Sequence, residues 1–175
     1  MLAALERGCR WVCGAMGVVA MTIVALLALP ITYDATMRTF GFPTIWVFEV
    51  SLYALIAAGF LANPLSLKTG AHFRVTILYR LIPGISKVLN IFAMLMTLTF
   101  AILIVWAGSY FVHYTWSNSI RSDSLFAVPL WIPILAIPIG GLGLFLQTLI
   151  MLLTGEEPGE EADVVIAEAM KDHQR

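Results

Sequence analysis

One carboxylate interrupts the apolar run "TIWVFEVSLYALIA", Thr44 to Ala57: Glu49. A carboxylate so placed can carry a proton, hold a cation or fix structure by pairing, and an ionisable residue inside an apolar span is a candidate functional site for those reasons. The other groups with reactive chemistry are few. Cys9 and Cys13 lie four apart, hence on one helix face, and read as two small apolar helix residues in a reducing compartment rather than as a disulfide. That counts against a disulfide-generating membrane oxidoreductase, which needs cysteine pairs on the outer side. His72, His113 and His173 fall in expected loops or the tail, so they cannot face each other as haem ligands inside a bundle. No nucleotide loop, HExxH or nucleophile elbow is present. The expectation is a chain that is not an enzyme and holds no metal or cofactor.

The elements that position Glu49 follow from composition. The 175 residues are 60% hydrophobic and 12% charged, with a mean hydropathy of +0.90. A soluble domain is nearer half apolar and a quarter charged. Charges are confined to short breaks, as in a polytopic membrane protein. The net charge of −1 says nothing about partners, and no run of Lys or Arg suggests nucleic acid.

Four stretches are long enough to cross a bilayer, which takes about 20 apolar residues. They are 11–33, 45–67, 88–112 and 130–153, followed by an acidic tail over 156–175. Pro129 and Pro133 put the start of the fourth helix near Leu130, and Pro138 should kink it. Arg7 and Arg10 before the first span resemble a signal-peptide n-region. However, the apolar stretch is too long and no A-x-A-like site follows, so the span reads as a retained helix. The spans share no internal repeat.

Basic residues set the orientation. Arg7, Arg10, Lys68, Arg74, Arg80 and Lys87 flank one side, against single arginines, Arg38 and Arg121, in the other two loops. The positive-inside rule then puts both termini and the second loop in the cytoplasm. That second loop, "TGAHFRVTILYRLIPG", interleaves bulky apolar residues with cations and predicts a short amphipathic helix in the headgroup layer. Lys68, His72, Arg74, Arg80 and Lys87 would meet phospholipid headgroups. On this orientation Glu49 sits about 6 Å below the outer surface, at the helical rise, in the first turns of its helix where the dipole favours an anion. Its expected cation partners are Arg38 and Arg121.

Three segments carry a resemblance: "RTFGFPTIWVFE", "GAHFRV" and "SDSLFAVPLWIPILAIPIGGLGLFLQ". Together they resemble the DctQ-type small membrane subunit of TRAP transporters, over about Leu5 to Leu153. The resemblance implies an all-α, four-helix accessory subunit in the bacterial inner membrane. Its partners would be a large membrane subunit with the substrate and sodium sites, and a periplasmic binding protein delivering a carboxylate-bearing solute. The structural or interface residues it implies are Arg38, Gly41, Trp46, Glu49, Ser124, Pro129, Trp131 and Gln147, to which Arg121 is added as an expected partner of Glu49. Trp46 and Trp131 also read as interface-belt aromatics, and Gln147 as a cross-helix hydrogen-bonding group or a headgroup contact. Two other functions fit the same composition: a small stand-alone ion-coupled transporter working as a homo-oligomer, and a membrane anchor or assembly factor.

Overall fold

The computed structural model describes residues 2–70, 86–124 and 126–155. All regular elements among them are helices: α1 (Leu2–Thr39), α2 (Trp46–Lys68), α3 (Ser86–Ser117), α4 (Trp131–Ile134) and α5 (Ala136–Thr154). With α4 and α5 counted as one segment, four are long and apolar enough to cross a membrane. The expected interfacial helix, with His72, Arg74 and Arg80, and the acidic tail lie outside the described residues.

The helices run past the apolar stretches because hydropathy marks the membrane, whereas capping marks the helix end. α1 has 38 residues, about 57 Å at the helical rise, more than the 40–45 Å of a whole bilayer. It stops where Gly41 takes a left-handed φ of 84°. There Phe42 N–H donates to Met37 O (2.9 Å) and Gly41 N–H to Arg38 O (3.1 Å), the paired bonds of a Schellman cap. α3 ends the same way, with Ile120 N–H to Thr115 O (3.0 Å) and Ser119 N–H to Trp116 O (3.1 Å), but Ser119 holds the left-handed position at φ 50°.

Pro138 acts four residues upstream of itself. Having no N–H, it cannot bond the Ile134 carbonyl, and the helix assignment lapses at Leu135 between α4 and α5. Leu135 keeps helical angles (φ −55°, ψ −28°), so the lapse is in hydrogen bonding.

α5 is the hub. Among the described residues it contacts α1, α2 and α3, while α1 and α2 pair with each other and α3 rests on α4 and α5. The segment Trp131–Thr154 is 56% buried over its most apolar window, against 11% for α3. The run "GGLG" makes this possible. A Cβ on Gly140 would strike the Phe60 carbonyl, which Pro64 leaves without an intrahelical donor. A Cβ on Gly141 would lie 2.7 Å from Ile104 on α3, and one on Gly143 2.6 Å from Met16 on α1 and Pro64 on α2. Three glycines thus face three different helices. Between α2 and α3 an apolar groove of about 640 Å³ stays open, lined by Phe60, Phe100, Ile104, Trp106 and Ile137 among others.

Candidate functional site

Two buried carboxylates with hydrogen bonds to loop residues stand at one end of the bundle, where α1 ends, α2 begins and α3 passes into α4. Each holds one loop.

Asp34, in the last turns of α1, holds the loop to α2. Its Oδ1 accepts from the Thr44 backbone N–H (3.1 Å) and from the Thr44 hydroxyl. Its Oδ2 accepts from Arg38 Nε at 2.6 Å, an i,i+4 ion pair on one helix face. Residue 34 falls just past the end of the first apolar stretch, so hydropathy left it in a loop. The D-x-x-x-R spacing was the available signal.

Glu49, one turn into α2, holds the loop from α3 to α4. Oε2 accepts from the Ser124 hydroxyl at 2.5 Å, across 75 residues of sequence. Oε1 accepts from Tyr53 OH at 2.9 Å, and the Ser122 side chain lies beside the same carboxylate. The expected arginine pairing is therefore corrected. Arg38 is engaged by Asp34, and Arg121 Nη1 donates to the Ala127 carbonyl (3.4 Å) in its own loop. The reason is position: three hydroxyls converge on Glu49 from its own helix and from the loop above it. Glu49 also fixes the third loop rather than the first.

That third loop closes on itself. Arg121 and Pro129 form an antiparallel bridge, Ser122 N–H donates to Val128 O (2.9 Å), and Leu130 N–H donates to Ile120 O (3.1 Å). Beside it Trp131 meets Trp116 edge-on, with ring centroids 4.6 Å apart. Trp46 meets Tyr33 at 6.3 Å. Both tryptophans thereby join two helices as well as sitting at a helix end, and Gly41 caps α1. Eight of the nine expected interface residues, Arg38, Gly41, Trp46, Glu49, Arg121, Ser124, Pro129 and Trp131, lie in these two loops or their anchoring helix turns.

Gln147 is not at this end. It lies inside the bundle on α5, 1% exposed, with neither amide atom hydrogen-bonded. It thus makes neither the cross-helix bond nor the headgroup contact expected of it. One turn earlier Cys13 Sγ donates to the Gly143 carbonyl at 3.6 Å, so this cysteine is an α1–α5 contact. At the other end of the bundle, Arg10 pairs with Glu6 (3.0 Å); Lys68 is the last residue of α2 and Lys87 lies in the first turn of α3. Among the described residues no group of three or more His, Cys, Asp or Glu is arranged to hold a metal ion.

The arrangement is suited to holding loops in place. The carboxylates are engaged by donors within the chain, and the groove between α2 and α3 is lined by apolar side chains and one glycine. The family model described as "Tripartite ATP-independent periplasmic transporters, DctQ component" matches residues 27–156. Neither a curated protein nor a solved structure matches the chain.

Proposed function

The chain belongs to the DctQ family, the small membrane component of tripartite ATP-independent periplasmic (TRAP) transporters, and from that premise we propose that it is a static, non-catalytic scaffold. Such transporters combine this component with a large membrane subunit and a binding protein. The large subunit would bind and move a carboxylate-bearing organic solute with sodium, and the binding protein would dock transiently at the end carrying Asp34 and Glu49. The chain would lie in the inner membrane with both termini in the cytoplasm, and phospholipid headgroups would meet Lys68, His72, Arg74, Arg80 and Lys87.

One observation carries the scaffold reading. Both buried carboxylates at the Glu49 end are engaged by donors of the chain's own loops and helices, and each fixes a loop. A proton- or cation-coupling acid would instead need a route and a relay.

Reconstitution tests it. The purified chain alone in proteoliposomes should give no uptake under a sodium or proton gradient. Uptake should appear, with sodium dependence, when the large subunit and the binding protein are added. Uptake by the pure chain, abolished by Glu49→Gln, would establish a stand-alone transporter instead.

A further inference from the structure

We propose, resting on the scaffold reading, that the α2 face bearing Gly59 and Asn63, with the groove beside it, docks a transmembrane helix of the large membrane subunit. Asn63 lies five residues before Lys68, the last residue of α2, roughly 7.5 Å inside the span at the helical rise. It is half-buried, and among the described residues its carboxamide has no hydrogen-bond partner. The Cα–Cβ bond of a helical residue tilts toward the N-terminus. The Asn63 side chain therefore leaves the backbone toward the middle of the span, away from the Lys68 end.

Acyl chains offer this amide neither donor nor acceptor, and an unmet polar group is costly where no water reaches it. A neighbouring helix can meet it with a polar side chain, as polar residues do between helices in a bilayer. The occupant is therefore a helix, not lipid. Gly59, four residues earlier and so one turn along the same face, is exposed, and a Cβ there would meet nothing within 4 Å. The glycines of "GGLG" each face a helix of this chain, whereas Gly59 faces none among the described residues. Only proline suits a helix interior less than glycine does. What a small residue offers at such a position is close approach of a second helix backbone.

Asn63 also borders the groove. Phe60, three residues before it, lines the groove from α2, and Phe100, Ile104 and Phe111 line it from α3. α3 is the least buried of the four spans. A helix lying along Gly59 and Asn63 would seat its apolar side chains between α2 and α3 and cover both. The family to which the chain belongs assembles with a large membrane subunit, and that subunit is the occupant to which the surface is assigned.

The experiment is recovery of the large subunit on the tagged full chain after co-expression and detergent extraction. Asn63→Leu and Gly59→Leu should each lower recovery several-fold. Met21→Leu, an exposed change on α1, should leave it unchanged. Each isolated variant should unfold at or above the temperature of the parent chain, which separates a lost contact from a lost fold. A photoactivatable residue in place of Ile56, exposed one turn before Phe60, should cross-link to the large subunit in intact membranes. Full recovery with both variants, or cross-linking from position 56 only to lipid or to a second copy of this chain, would overturn the docking surface and leave the scaffold reading standing. Failure of the unaltered chain to recover the large subunit would overturn the scaffold reading, and this surface with it.

Discussion

Gln147 presents a primary amide to an apolar interior and bonds to nothing there, a condition it shares with the Ser51 hydroxyl. An unsatisfied buried polar group costs about 1–3 kcal/mol. Replacing it with an unbranched apolar side chain of similar volume removes that cost with little repacking. Gln147→Met should therefore raise stability by about 1–3 kcal/mol, seen as a higher unfolding temperature of the purified chain in detergent; a lower one would show that the amide is bonded. Glu49 obeys the opposite rule. Its carboxylate is satisfied by hydroxyls, so Glu49→Leu should lower the unfolding temperature and weaken co-purification with the large subunit. Equal recovery of the complex with lost or pH-shifted uptake would mark Glu49 as a transport residue. Glu49 was legible in the sequence because a lone acid in an apolar run is rare. Its partners were not legible, since Ser124 lies 75 residues away and pairing by charge pointed to arginine. Asp34 was missed because its importance comes from Thr44, beyond a turn whose geometry hydropathy does not encode.

Helix ends and helix contacts answer to backbone geometry, and that part of the fold was only half readable. The proline rule located the lapse near Pro138, and the four apolar stretches located the spans. Helix length was underestimated, because α1 and α3 continue until a Schellman cap closes them. The two caps differ by one residue: Gly41 fits the left-handed position, whereas Ser119 bears a Cβ there. Ser119→Gly should stabilise the chain by about 1 kcal/mol, measured as a shift in the same thermal unfolding. Glycines inside helices divide in the same way. Gly140→Ala would drive a methyl into the Phe60 backbone, which no rotamer change relieves. It should destabilise by about 1–3 kcal/mol, as overpacking does. Gly59→Ala, with nothing within 4 Å, should be neutral or stabilising by up to about 1 kcal/mol, the difference in helix propensity. A reversal of that order would mean that α5 does not lie on α2 as described.

At the scale of the whole molecule, topology is the first quantity to establish. In a chain with Cys9 and Cys13 replaced by alanine, single cysteines at Thr36 and Asn118 should react with an impermeant maleimide applied outside intact cells. Cysteines at Thr69 and Gly159 should react only after permeabilisation, and external labelling at 69 would reverse the orientation. The sequence conveyed four spans and a family, but not that one of them touches all the others, because "GGLG" does not say which helix each glycine will face. Placing the hub in the last span has a consequence for biogenesis. Translation proceeds from the N-terminus at about 5–20 residues per second, so α1 and α2 can pair as soon as both have emerged. Among the described residues, α3 makes its main helix contacts with the segment Trp131–Thr154, which is made last. Between the end of α3 and the end of α5 lie residues 118–154, a wait of roughly 2–7 seconds at that rate. During that interval α3 lacks its main packing partner. A nascent chain stalled before Trp131 should therefore hold α1 paired with α2 and leave α3 without its main partner, so the last span to be made is the one that joins the other three.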